Sequence, residues 1–291
     1  MPELPEVEVT RREIMPVLVG RRIARVHTTK PSYFFLTPPA TLAKRLVGRT
    51  VRDLVRHGKY LRALLDNGDT LVLHLGMTGQ LFAAGVKSPR LLSATERGTL
   101  KPEQLTTFKP DKHTHLRLEF ADGGAELMFR DARRFGKVLL LAAGAKDGRL
   151  EKLGIDALEA NGDELFAAAR SRRIPIKTLL LNQSVIAGIG NIYADEGLFL
   201  AGVRPSRLAG RVSREQCRAV IEACKRVMLR SIETGGSSIS DFVRPGGQDG
   251  GYQDERKVYA RTGEPCLVCG EKVRRVVLNG RSAHFCPACQ K

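Results

Sequence analysis

Cys266-Leu267-Val268-Cys269, followed by Cys286-Pro287-Ala288-Cys289, settles the nature of the C-terminal end of this chain. Two pairs, each with a two-residue spacer, offer four thiolates, the donor set of a tetrahedral zinc site, and the spacing favours zinc over redox or disulfide motifs. Between them, Lys272-Val273-Arg274-Arg275-Val276-Val277 and the turn dipeptide Asn279-Gly280 read as a β-hairpin. Four protein ligands leave no open coordination position, so the expectation is one zinc ion with a structural role. His284 lies nearby but is not needed as a ligand. Arg274, Arg275 and Arg281 place cations on the hairpin, as binding to a phosphate backbone requires. This pattern alone specifies a binding module and says nothing of catalysis.

Upstream, Arg244-Pro245-Gly246-Gly247-Gln248-Asp249-Gly250-Gly251 reads as a loop. Before it, Ser213-Arg214-Glu215-Gln216 has the form of a capping box, and Cys217, Val220, Ile221, Cys224, Val227 and Met228 follow helical spacing until Gly235-Gly236. Cys217 and Cys224 are thereby expected in the core and not in chemistry. Pro175 starts a short helix that Gly188-Ile189-Gly190 breaks, and Asn191 is the expected N-cap of a second helix running to about Ala201. A helix N-terminus behind a glycine-rich turn presents N–H groups to a phosphate.

The first half changes period. Leu116, Leu118 and Phe120 alternate with polar residues as in a half-buried strand. Thr70–Leu75 and Lys137–Leu141 read as strands packed on both faces. Pro5 to about Leu18 reads as a helix with Val7, Ile14 and Leu18 on one side, kinked or ended early by Pro16. Residues 87–112 read as a polar loop insertion. Gly144–Gly148 marks the end of this domain, so the fold class is α+β with two domains and a zinc hairpin: 1–148, 149–256 and 257–291.

The chain carries 48 Lys and Arg against 31 Asp and Glu, a net charge of +17 in 291 residues, which calls for a polyanionic partner. The 42% hydrophobic content argues against disorder. No apolar run approaches the ~20 residues of a membrane span, and the N-terminus does not resemble a signal peptide. The expected location is cytoplasmic, where six cysteines serve as thiols or metal ligands.

Removal of Met1 before Pro2 exposes a secondary amine. An α-amino group titrates near ~7.7–8.0, against ~10.4 for lysine, so a usable fraction is unprotonated at neutrality. Such an amine attacking a sugar C1′ yields an iminium that keeps its positive charge and labilises the C2′ proton, the requirement for β-elimination. Glu3 is placed to exchange protons beside it.

Met1-Pro2-Glu3-Leu4-Pro5-Glu6-Val7-Glu8, His57-Gly58-Lys59-Tyr60-Leu61, His74-Leu75-Gly76-Met77-Thr78-Gly79, Asp131-Ala132-Arg133-Arg134-Phe135-Gly136, Gly188–Ala194 and the zinc hairpin occur in order along the chain. In these motifs the sequence resembles bacterial formamidopyrimidine-DNA glycosylases over nearly its whole length. The resemblance implies an N-terminal β-sandwich with flanking helices, then a helix–two-turn–helix module and the zinc hairpin. It implies a bifunctional glycosylase and abasic-site lyase of base excision repair, acting as a monomer on oxidised purines in damaged double-stranded DNA.

By the same resemblance, Pro2 matches the Schiff-base nucleophile, Glu3 the adjacent acid/base, Lys59 a lysine of β-elimination and phosphate contact, and Arg281 the arginine of δ-elimination. Met77, Arg133 and Phe135 match residues that fill the gap left by the everted base, Arg133 facing the orphaned cytosine, with Arg134 a phosphate or structural partner. His74, His113, Arg172, Lys177 and Asn191 match DNA contacts, although Arg172 stands where the family pattern calls for lysine. Thr234–Tyr252 corresponds to a loop covering the lesion, where Ser237-Ser238-Ile239-Ser240 supplies hydroxyls. Two alternatives remain open at this point: an endonuclease VIII-like glycosylase for oxidised pyrimidines, and a non-catalytic zinc-dependent nucleic-acid binder.

Overall fold

The computed structural model describes residues 1–91, 107–238 and 242–291; most of the expected 87–112 insertion, together with Ile239 and Ser240, lies outside the described residues. The chain forms two compact units, Met1–Asp147 with Gly235–Gly251, and Gly148–Thr234 with Tyr252–Lys291. The stretch 235–251, grouped by the sequence reading with the second domain, belongs to the first unit.

The first unit opens with helix α1 (Leu4–Leu18), whose Leu4, Val7, Ile14 and Leu18 are fully buried. Pro16 does not end this helix early. It withholds one N–H from the carbonyl of Arg12, which is exposed, and water can replace the lost donor. Helix α2 (Pro39–Leu46) buries Leu42 and Leu46. Two four-stranded antiparallel sheets follow. One has the order β1 (Ile23–Thr28), β6 (Thr114–Phe120), β7 (Leu127–Asp131), β5 (Gly79–Ala83); the other runs β2 (Val51–His57), β3 (Tyr60–Leu65), β4 (Thr70–His74), β8 (Lys137–Leu141). Leu116, Leu118 and Phe129 of the first sheet share one core with Leu54, Leu61, Leu73 and Val138 of the second. This is the expected sandwich. Strand β8 alternates buried and half-buried residues, so it is packed on one face, not on both.

The second unit begins with the short helix α3 (Gly148–Glu151) and pairs β9 (Ile155–Asp156) in parallel with β10 (Ile186–Ala187). Helices α4 (Gly162–Ala169), α5 (Ile176–Leu180), α6 (Asn191–Leu200) and α7 (Arg214–Glu233) carry its core. Ser213 caps α7 as expected: its Oγ accepts the Gln216 N–H at 3.2 Å and Gln216 returns the bond at 3.0 Å. The N-cap of α6 is Gly190, one residue before the expected Asn191. Cys217 and Cys224 are fully buried, and burial pushes their thiols up to about 11 and about 12. Helices α6 and α7 meet closely, since a Cβ on Gly197 would lie 2.3 Å from Cys224 Sγ. The hairpin β11 (Arg274–Leu278) and β12 (Arg281–Phe285) closes the unit, with Asn279 and Gly280 both at positive φ as a two-residue turn requires.

Candidate active site

In the first unit, the opening turns of α1 gather three buried carboxylates, Glu3, Glu6 and Glu8. Pro2 is itself buried, and Glu3 in extended conformation is the N-cap of α1. Glu6 Oε2 accepts the Glu3 N–H at 2.8 Å while its Oε1 accepts the Ser237 N–H at 2.9 Å. Glu13 binds Arg244 at 2.6 Å and the Gly246 N–H at 3.2 Å, so the 235–251 segment is fastened to the same helix that presents Pro2. Glu8 accepts from Arg11, Arg12 and Arg56. Burial opposes its ionisation, but the guanidinium groups prevail and hold its carboxyl at about 2. Arg56 in turn donates to the Gly58 carbonyl at 3.1 Å, beside the buried Lys59. One helix therefore organises the terminal proline, the loop and the lysine turn. Glu6, Glu8 and Arg56 escaped the sequence reading; Glu6, three residues after an N-cap, was the one with a local signal.

Two further turns of this unit are locked together. Gly76 (φ +63) lies so close to the second turn that a Cβ there would meet the Phe135 carbonyl carbon at 2.4 Å. Fully buried Asp131 accepts from the Thr78 hydroxyl, from the Arg133 N–H at 3.2 Å and from the Gly136 N–H at 2.6 Å. Asp131 thus ties the turn bearing Met77 to the turn bearing Arg133, Arg134 and Phe135. Arg133 and Arg134 are exposed, and Met77 is half-buried. Phe135 is 40% exposed, so it is not a core residue. The Arg133 guanidinium lies 4.8 Å from the Phe135 ring, and the Tyr33 hydroxyl donates to the Arg133 carbonyl at 2.7 Å. His113 is half-buried and its carbonyl accepts the Asp131 N–H at 2.8 Å.

His74 ends β4, with Nδ1 accepting the Gly76 N–H at 3.1 Å, which requires a neutral ring. Burial, aided by the Lys59 and Lys137 cations, lowers it to about 4. Below pH ~6.5 the unfolded chain takes up a proton that the folded chain refuses until about 4, so stability falls with acidification across that window. Urea unfolding should show that His74 accounts for about 2 kcal/mol of the loss between pH 7.5 and pH 5. In His74→Gln that part of the loss should vanish; an identical pH dependence in the variant would refute the assignment.

In the second unit, Arg172 is exposed, and Asn191 occupies the first turn of α6 behind Gly188 and Gly190. Lys177 corrects an expectation. Its side chain is 1% exposed and its Nζ lies 2.6 Å from Asp195 Oδ1, so it turns inward to an ion pair and does not offer its ammonium to DNA. Arg281, at the start of β12, is exposed. The sulfurs of Cys266, Cys269, Cys286 and Cys289 all lie within 4.8 Å of one another, with Cys266–Cys289 at 3.9 Å and Cys269–Cys286 at 3.4 Å. A tetrahedral site with ~2.3 Å metal–sulfur bonds separates its sulfurs by ~3.8 Å, so the four fit one structural zinc.

Comparison with known proteins agrees with this geometry. Residues 1–138 match the formamidopyrimidine-DNA glycosylase N-terminal domain, residues 153–243 the H2TH domain of the same enzymes, and residues 263–291 the zinc finger found in FPG and IleRS. The chain belongs to the formamidopyrimidine-DNA glycosylase family. Formamidopyrimidine-DNA glycosylase of Solibacter usitatus is 40% identical over 291 residues, covering all of both chains. The counterpart from Thioalkalivibrio sulfidiphilus is 40% identical over 294 residues, again covering all of both chains. The crystal structure of MutM (FPG) from Thermus thermophilus matches with a TM-score of 0.82 at 34% identity, over 99% of this chain and 98% of that one. Lactococcus lactis Fpg, in complex with DNA containing an abasic site, matches with a TM-score of 0.83 at 32% identity over the whole of both chains. Family membership makes the chain a DNA glycosylase of base excision repair, an enzyme and not a passive zinc-dependent binder. Among the described residues no helix is long and apolar enough to cross a membrane.

Proposed function

We infer that the chain excises oxidised purines, 8-oxoguanine and formamidopyrimidines, from damaged double-stranded DNA and then cuts the strand at the emptied site. It would do so as a monomer, in the cytoplasm. The observation that carries this reading is the construction of α1. Its N-terminus presents Pro2 and Glu3, while buried carboxylates on its first two turns hold the 235–251 loop and the Lys59 turn.

The freed Pro2 amine attacks C1′ and the bond to the base breaks. The departing base takes up a proton and the attached nitrogen gives its own up; the nitrogen lone pair then expels O4′, which is protonated as the sugar ring opens, and the iminium forms. Glu3, adjacent to the amine, is the group assigned to proton exchange. The iminium acidifies C2′; loss of that proton expels the 3′ phosphate. Lys59 is assigned to this step and to the neighbouring phosphate, and Arg281 to the second elimination, which expels the 5′ phosphate. Zinc supplies folding stability to the hairpin and takes no part in these steps.

A base within a duplex hides C1′, so it must leave the stack. Met77, Arg133 and Phe135 lie on two turns joined through Asp131, and we assign them to the vacated space, where apolar surface offsets lost stacking. His74, His113, Arg134, Arg172 and Asn191 are assigned to the DNA backbone; His74, being neutral, would contact it as a hydrogen-bond donor. The loop hydroxyls Ser237 and Ser238 are buried, and Ser238 Oγ accepts the Gly250 N–H at 2.8 Å, so Ser238 shapes the loop.

Arg133 gives a sharp prediction. A guanidinium placed against the orphaned cytosine should favour excision opposite C over A. Arg133→Ala should flatten that preference by about 1–3 kcal/mol. Single-turnover excision of 8-oxoguanine opposite each base, with melting curves, measures it; an unchanged C/A ratio in a folded variant removes Arg133 from recognition. Substrate class is tested by a panel of defined lesion duplexes. Faster excision of oxidised pyrimidines than of 8-oxoguanine or formamidopyrimidine would overturn the purine assignment in favour of the endonuclease VIII-like one.

A further inference from the structure

Three polar side chains, two of them an ion pair, cluster in the interior of the second unit, and no step above uses them. Lys177 of α5 is 1% exposed, Asp195 of α6 is fully buried, and His284 of β12 is 8% exposed. Lys177 Nζ lies 2.6 Å from Asp195 Oδ1 as an ion pair and donates a hydrogen bond to the Ser282 carbonyl. Asp195 Oδ2 accepts the His284 backbone N–H at 2.9 Å and lies 2.9 Å from His284 Nδ1. The pair thus holds two backbone groups of one strand, the Ser282 carbonyl and the His284 N–H. In a two-residue spacing these groups project from the same edge of β12, the edge that a third strand would otherwise occupy.

A buried ion pair is a poor source of stability, because desolvation consumes much of its attraction. Its bonds are directional, however. An apolar contact would let a two-stranded hairpin slide or roll, whereas charge-assisted bonds to consecutive outward groups fix both. The neighbouring carboxylate works in the same sense: Glu196 accepts the N–H groups of Lys257, Val258 and Tyr259 at 2.8–2.9 Å. Helix α6 therefore grips the chain where it enters the zinc module and again at its last strand. Arg281 is the residue before Ser282, exposed at the start of that strand.

We propose that Asp195, together with Lys177, is a positioning residue for Arg281, fixing the hairpin so that the guanidinium meets the sugar during the second elimination. This rests on the assignment of Arg281 to that step. The test uses the full zinc-loaded chain on a duplex containing an abasic site. It compares wild type, Asp195→Asn, the apolar replacement Asp195→Leu with Lys177→Met, and Arg281→Ala. The double variant guards against misfolding, since it leaves no buried charge unpaired. The readout is the partition of cleaved ends between the β-elimination product and the β,δ product at equal extents of cleavage, alongside zinc content and the rate of borohydride trapping. The double variant should lower the β,δ share at least fivefold, with one zinc retained and trapping within twofold of wild type, and Arg281→Ala should lower that share by at least as much. A partition unchanged in the double variant but shifted in Arg281→Ala overturns the positioning role, as does a proportional loss of both products. A partition unchanged in Arg281→Ala itself overturns the assignment of Arg281, and this proposal with it.

Discussion

Pro2→Gly should abolish strand cleavage while duplex binding largely survives. Glycine keeps a terminal amine but a primary one, and it lacks the ring that fixes the nitrogen at the entrance to α1, where Pro2 is buried and Glu3 forms the cap. Loss of a covalent nucleophile typically lowers rates by ~10^4-fold or more, far beyond what the substitution should do to folding. A tag retained before Pro2 should have the same effect, because an amide nitrogen is not nucleophilic. Intact-mass spectrometry should accordingly find Met1 absent from active protein. Binding should persist because the exposed cations Arg133, Arg134, Arg172 and Arg281 are untouched.

Removal of the zinc should be nearly as damaging, by a different route. The buried apolar residues of this module are few: Val258, Cys266, Val273 and Cys286 cluster against Phe199 of α6, and Ala283 and Phe285 are the others. A core of that size cannot hold two strands by itself, so metal binding supplies much of the module's folding free energy. Cys269→Ser should release the metal and lower affinity for a lesion duplex tenfold or more, with Arg274, Arg275 and Arg281 no longer held on an ordered hairpin. The helical part of the unit, built on the α6–α7 contact, should keep its far-ultraviolet signature. Metal analysis finding no zinc in fully active protein would contradict this account.

Much of this was legible along the chain because the determining interactions are local. The Cys spacing, the Ser213–Gln216 capping box and the Asn279-Gly280 turn each involve residues a few positions apart, and each is present as read. What was not legible depends on distant partners. Lys177 looks like any surface lysine until Asp195 and Ser282 are brought to it. Glu6 and Glu8 look like ordinary helix carboxylates, yet they reach Ser237 and Arg56. Asp131 is inconspicuous in its motif, although it joins the two turns proposed to replace the everted base. Sheet order is of the same kind: β1 finds β6 across most of the domain, which alternation within either strand cannot reveal. The shift of the α6 cap to Gly190 is a smaller matter, since glycine takes the extended cap conformation as readily as asparagine.

The chemistry itself rests on one bond, between the Pro2 nitrogen and C1′ of the lesion nucleotide. Borohydride added during turnover on a duplex containing 8-oxoguanine should reduce the iminium and leave protein and DNA covalently joined, and peptide mapping should place the attached sugar on the N-terminal proline. A protein that cleaves the duplex yet yields no adduct, or yields one on Lys59, would contradict the account.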